Sequence, residues 1–287
     1  MINNEFDNEI KYRLFRSVQE ILHPKISKKN ISDYKVIIDE NILPVRVFYP
    51  KRVSTISKIA IFIRGNGKVT DCQEMYSDIC KNLALEVNLL VIAIEYEEEK
   101  NAYKKMYKEI YDTVKYLYER LEKDNVSSKD IILMGDSTGA NILTAINELN
   151  DSEIAIDKEV LFYPVLSSDY KNKTKYESFT TNNNFNFNLL DNLNDYFNFI
   201  AKEELSDPIL NPLSHKAKKI PKTLLLSGKI DSLLDENEEY KNLYKSKVKN
   251  LSLAFASHGF LKKMDQELAT EVYDALKEFI YPSKKEK

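Results

Sequence analysis

The sequence predicts an α/β protein: an eight-stranded, mostly parallel sheet with helices on both faces and a small helical cap. Three observations carry this. Eight short runs rich in Ile, Val, Leu and Phe recur along the chain. Several are apolar at consecutive rather than alternate positions, as in strands covered on both faces. The segments between them space their apolar residues by three and four, the period of a helix, and strands alternating with helices of that length make a doubly wound sheet.

Residues 1–33 read as a charged amphipathic helix through Ile10, Leu14, Val18, Ile21 and Leu22 that ends near His23-Pro24, an amino-terminal part of the cap. Residues 34–165 and 222–287 form the body. Its strands are expected at Tyr34 to Ile38, Val45 to Tyr49, Ile59 to Ile63, Leu89 to Ile94, Ile131 to Met134, Val160 to Tyr163, Thr223 to Leu226 and Leu251 to Phe255. The clearest helix runs through Tyr107, Ile110, Tyr111, Val114, Leu117, Tyr118 and Leu121, an apolar stripe on a charged helix whose tyrosines read as packing residues. Residues 166–221 interrupt the alternation as a cap insertion, with an Asn-rich centre from Asn182 to Asn188 and a helix through Leu189, Leu193, Phe197 and Ile200. The alternative is a solvated loop whose Phe residues pack on the body. No internal repeat is visible, and Ser283 to Lys287 reads as a frayed tail.

With 287 residues the chain has room for a sizeable core. Hydrophobic residues at 43% and charged residues at 30% are ordinary for a soluble protein, and a net charge of −3 provides no field for nucleic acid or acidic membrane. The first residues lack the apolar core of a signal peptide, and no run approaches the ~18 apolar residues of a membrane span. The expected location is cytoplasmic, with no integral membrane segment and no nucleic-acid partner. Cys72 and Cys80 read as small buried hydrophobes, since two cysteines make no disulfide framework.

The chain has only six glycines, where average usage of about 7% would give roughly twenty. All six lie in Arg64-Gly-Asn-Gly67, Gly135-Asp-Ser-Thr-Gly139, Ser227-Gly-Lys-Ile-Asp231 and Ser257-His-Gly-Phe260. Three of these segments follow a strand run directly, and His258 follows the last strand by a few residues, so one site at the carboxyl edge of the sheet is expected. The strand, Gly-x-Ser-x-Gly turn and helix around Ser137 form the context of a nucleophile elbow. Serine needs a neighbouring base. Of three histidines, His23 and His215 sit in surface-like stretches, which leaves His258. An imidazole base needs an acid to orient it. Asp231 is placed for this, with Asp235 and Glu236 as rivals on the same loop. Backbone N–H groups of Arg64-Gly-Asn-Gly67, completed by that of Thr138, can face the oxygen that becomes negative when serine attacks a carbonyl.

These segments resemble the hormone-sensitive-lipase-like branch of the α/β-hydrolase superfamily. The resemblance rests on Gly135-Asp-Ser-Thr-Gly-Ala-Asn141, Phe162-Tyr-Pro-Val165, Asp207-Pro-Ile-Leu-Asn-Pro-Leu213, Asp231-Ser-Leu-Leu-Asp-Glu236 and His258-Gly-Phe260. It implies an α/β-hydrolase fold, a triad of Ser137, Asp231 and His258, and a cap built from the amino-terminal extension and the insertion after Pro164. By position the oxyanion donors fall on the amides of Asn66 and Gly67, beside Thr138. Two departures stand out. Arg64-Gly-Asn-Gly67 replaces the family's His-Gly-Gly-Gly, and Glu95-Tyr-Glu-Glu-Glu99 replaces its Asp-Tyr-Arg-Leu-Ala-Pro-Glu stretch.

The expected function is a serine carboxylesterase for small esters of short acids, with no cofactor and no metal, as a monomer or homodimer. Two alternatives remain open at this stage. One is a catalytically weakened ligand-binding protein on the same fold, which the altered loop would permit. The other is an amidase or acyltransferase using the same triad.

Overall fold

The computed structural model describes residues 34–36, 42–51, 56–65, 72–171 and 187–282. The expected amino-terminal helix and His23 lie outside the described residues, as do Asn66, Gly67, most of the Asn-rich stretch and the last five residues.

One sheet organises the rest. Its strands are β1 (Tyr34–Val36), β2 (Val45–Phe48), β3 (Ile59–Ile63), β4 (Leu90–Ile94), β5 (Ile131–Asp136), β6 (Lys158–Phe162), β7 (Lys222–Gly228) and β8 (Val248–Leu253), in the spatial order β1-β2-β4-β3-β5-β6-β7-β8. The β1–β2 and β2–β4 pairs are antiparallel and every other pair is parallel. β3, β4, β5 and β6 are buried along their whole length, as the unbroken apolar runs of β3 and β4 predict, and the burial extends to Asp136 of β5 and to Lys158 and Glu159 of β6.

Among the described residues six helices cover the two faces: α1 (Cys72–Val87), α2 (Tyr103–Lys123), α3 (Ser137–Leu149), α4 (Phe187–Ile200), α5 (Leu234–Tyr244) and α6 (Gln266–Ile280). Alternate strand residues point to opposite faces. Ile59, Ile61 and Ile63 of β3 therefore join a core with α2, α3, α4 and α5, while Ala60 and Phe62 join a second core with α1 and α6. On α2 the predicted stripe is buried from Tyr107 to Leu121, and its tyrosines pack as expected. Ile110, Val114, Leu117 and Leu121 are fully buried. Each contributes about 1.5–3 kcal/mol of burial, which holds the helix far more firmly than its intrinsic propensity would. The helix expected in the insertion forms as α4, and Leu190, Leu193, Tyr196, Phe197 and Ile200 pack into the first core.

The last strand departs from expectation. It spans Val248–Leu253, three residues earlier than the apolar run suggests, and Phe255 lies beyond it at 87% exposure. β8 is an edge strand whose middle residues are partly exposed on both faces, so polar Lys249 and Asn250 belong to it and a purely apolar pattern misplaces it. Three turns are made by asparagines in the left-handed region: Asn88 (φ 61°), Asn101 (φ 55°) and Asn125 (φ 66°). Asparagine is among the few residues with a side chain that take this region readily.

Candidate active site

β5 runs to Asp136 and α3 starts at Ser137, with no residue between them. Ser137 takes φ 51° to make this turn, a conformation that costs a non-glycine residue on the order of 1 kcal/mol or more. Gly139 allows the turn to sit tight against the sheet. A Cβ there would lie 2.3 Å from the Ile63 carbonyl and 2.4 Å from that of Arg64. The helix is thus pressed against the end of β3, where the loop to Asn66 and Gly67 departs.

Three side chains expected together are together. Ser137 Oγ lies 2.9 Å from His258 Nε2, and His258 Nδ1 lies 3.0 and 3.3 Å from Asp231 Oδ2 and Oδ1. A proton on Nδ1 makes that nitrogen a donor to the carboxylate and leaves the Nε2 lone pair facing the serine hydroxyl. Asp231 is 1% exposed and His258 14%, so these contacts are largely shielded from water. Asp231 also accepts the Leu233 amide at 2.9 Å, which fixes the carboxylate plane.

The loops bearing Asp231 and His258 are locked to each other. Lys229 N–H donates to the Leu253 carbonyl at 2.9 Å and Ile230 N–H to that of Ala256 at 3.0 Å. At Gly228 a Cβ would fall 2.1 Å from the Ala256 carbonyl oxygen. Gly228 is the point where the two loops touch.

The rivals for the acid are engaged elsewhere. Glu236 is buried and accepts the Leu166 amide at 2.9 Å and the Tyr170 hydroxyl at 3.2 Å, tying α5 to the exit of β6. Asp235 lines a cleft with Asp169 and Glu239. His215 is exposed, 3.8 Å from Glu148. Cys80 is buried on α1, as expected of a small hydrophobe. Thr138 is fully buried in the first turn of α3, where backbone N–H groups have no intrahelical acceptor and can face a negative atom.

Sequence reasoning missed a second layer. Asp136, fully buried, accepts the Gly65 amide at 2.7 Å, the Tyr76 hydroxyl at 2.9 Å and the Tyr163 hydroxyl at 3.1 Å. Burial pushes its carboxyl up, while those three donors pull it back. The ring of Tyr163 packs edge-on against His258 at 5.0 Å and against Phe260 at 4.8 Å. Asp136 and Tyr163 stood inside recognisable motifs, but only tertiary contact shows what they touch. Asn141, in the same motif as Ser137, accepts the Tyr107 hydroxyl at 2.8 Å and donates to the Val165 and Leu210 carbonyls at 2.9 and 3.1 Å. It pins α3 to the chain entering and leaving the insertion.

A serine at a strand-to-helix elbow of a mostly parallel sheet, with an acid and then a histidine on later loops, defines the α/β-hydrolase class. A family model described as alpha/beta hydrolase fold matches residues 60–261. The chain belongs to that family, in its hormone-sensitive-lipase-like carboxylesterase branch. It is 28% identical over 166 residues to arylacetamide deacetylase of Rattus norvegicus, a match covering 54% of this chain and 41% of that protein. It is 26% identical over 133 residues to ethyl acetate hydrolase of Pseudomonas putida, covering 44% of this chain and 42% of that one. The chain therefore spans less than half the length of either relative. The solved structure of Francisella virulence factor BioJ superposes with a TM-score of 0.72 at 24% identity, over 92% of this chain and 89% of that one, a likeness of fold. Among the described residues, no helix is long and apolar enough to cross a membrane.

Proposed function

We propose that the protein is a serine carboxylesterase that cleaves esters of short acids through an acyl-enzyme. The observation that carries this reading is the continuous relay from Ser137 Oγ through His258 to Asp231, with contacts of 2.9 and 3.0 Å. Ser137 Oγ attacks the ester carbonyl while its proton passes to His258 Nε2. The tetrahedral intermediate collapses, the carbon–oxygen bond to the alcohol breaks, and the leaving oxygen takes the proton from Nε2. Water then attacks the acyl-enzyme, gives its proton to Nε2, and the acid departs as Ser137 recovers that proton. Asp231 keeps Nδ1–H oriented throughout and stabilises the imidazolium. The amides of Asn66, Gly67 and Thr138 are assigned to the developing oxyanion, each worth about 10²- to 10³-fold in rate. Only protein groups and water take part, so no cofactor is invoked.

Short acids are favoured by the likeness to a protein named ethyl acetate hydrolase. In this reading α4, with Tyr196 beside Thr138, is part of the cap over the site. The likeness to a protein named arylacetamide deacetylase supports a second use of the same acyl-enzyme, on amides. A fluorophosphonate probe should label the wild type and leave Ser137→Ala unlabelled; equal labelling of both would sink the assignment. Along p-nitrophenyl esters from acetate to laurate, turnover should fall steeply past butyrate or hexanoate, and a maximum at laurate would reject the short-acid preference.

A further inference from the structure

The two departures from the family pattern meet in space. Arg64 follows β3, Tyr96 and Glu98 follow β4, and these parallel strands are neighbours. Arg64 Nη2 donates to the Tyr96 carbonyl at 2.5 Å, and the Tyr96 hydroxyl donates back to the Arg64 carbonyl at 2.6 Å. The guanidinium carbon sits 4.4 Å from the centre of the Tyr96 ring, and Nη1 lies 3.8 Å from Glu98 Oε1. Nη1 also reaches the Gly65 carbonyl, at 3.5 Å. The Arg64 and Glu98 side chains are 15% and 12% exposed, so the ion pair is largely shielded from water. A planar guanidinium can serve a carbonyl, a carboxylate and an aromatic face at once, which an ammonium cannot.

This lock acts on one peptide unit. The Arg64 carbonyl is held from the β4 side by Tyr96, and the Gly65 amide from the β5 side by Asp136 at 2.7 Å. At Gly65 a Cβ would stand 3.0 Å from Ser137 Cβ and 2.7 Å from the Asp136 carbonyl, so the peptide lies against the elbow itself. Tyr196 of α4 borders Thr138 and feels the charges of both Glu98 and Arg64, which brings the insertion into the same assembly.

We propose that Arg64 is a positioning residue: with Tyr96 and Glu98 it fixes the peptide from which the oxyanion loop departs, and so sets the aim of the loop's donors at the carbonyl attacked by Ser137. The inference rests on the esterase reading above. A displacement of about 1 Å at such a loop can cost on the order of 10²-fold in rate. Arg64→Met should lower kcat for p-nitrophenyl acetate by about 10- to 100-fold, with KM changed less than about threefold, because the ground-state ester gains little from the hole. Tyr96→Phe keeps the ring but removes the donor to the Arg64 carbonyl, and should lower kcat in the same direction. Arg64→Lys should fall between Arg64→Met and the wild type. Rates are taken per folded enzyme, with thermal melting measured alongside. Unchanged kcat in both Arg64→Met and Tyr96→Phe, or a loss confined to melting temperature, overturns the proposal even if the esterase reading stands. A wild type inert to both ester and fluorophosphonate instead removes the esterase reading, and this inference with it.

Discussion

Glu159 gives the protein a stability that depends on pH in the opposite sense to most carboxylates. It lies on β6, fully buried, with Oε2 accepting from Asn147 Nδ2 at 2.9 Å and Oε1 from the Thr223 hydroxyl at 2.7 Å. Burial pushes its carboxyl from 4.5 up to about 7, against the smaller lowering by Asn147 and Thr223. Below pH 4.5 the group is neutral in folded and unfolded chains alike, and its contribution is fully present. Between 4.5 and about 7 the folded chain keeps a proton that the unfolded chain has released, so stability falls as pH rises. At about 1.4 kcal/mol per pH unit, the loss reaches about 3 kcal/mol above pH 7. Glu159→Gln stays neutral throughout. It fits the same partners, because the Thr223 hydroxyl has a second acceptor in the Pro221 carbonyl at 3.2 Å. Urea unfolding of both proteins from about pH 5 to about pH 8 should show the variant gaining about 2–3 kcal/mol on the wild type across the range. A gap that stays constant with pH would refute the reasoning.

Three further outcomes follow from the packing. Asp231→Asn should leave the fold intact but reduce esterase turnover on the order of 10³- to 10⁴-fold, since an amide no longer selects the imidazole form that Ser137 needs; steady-state kinetics with p-nitrophenyl acetate reads this directly. Asp136→Ala strands three donors and should cost about 3 kcal/mol or more in urea unfolding, while Asp136→Asn, which still accepts the Gly65 amide, should cost clearly less. Leu117→Ala on the buried face of α2 should cost about 2–5 kcal/mol, whereas Phe255→Ala, at 87% exposure, should change stability by less than about 0.5 kcal/mol.

Most of the sheet was legible because its inner strands are apolar on both faces, and a run such as Ile59 to Ile63 has no other good fate. Where a strand met water, the signal weakened. β8 mixes Lys249, Asn250 and Ser252 with its apolar residues, so the run from Leu251 to Phe255 drew attention from its true start at Val248. At the site, Ser137 and His258 could be found because glycines and strand ends mark them locally. Asp231 was harder to separate from Asp235 and Glu236, since three carboxylates so close in sequence differ only in what they face, and the start of α5 at Leu234 takes the latter two off the loop. The supporting layer was not legible at all. Nothing in Arg64 or Tyr96 taken singly announces that each hydrogen-bonds the other, across 32 residues of sequence. Parallel neighbours in a sheet bring such positions together only once the chain order of the strands is known.

The asparagine turns give the scarcity of glycine a simple meaning. Glycine offers two separable things, a backbone free to turn left and a position without a side chain. At Asn88, Asn101 and Asn125 the chain needs the first alone, and asparagine supplies it. At Gly139 and Gly228 it needs the second, with carbonyl atoms 2.3 and 2.1 Å from where a Cβ would be, and no other residue can supply that. Exchange between the two residues is therefore one-way. Glycine can enter the asparagine turns without a clash, while asparagine at Gly139 or Gly228 would force the backbones apart.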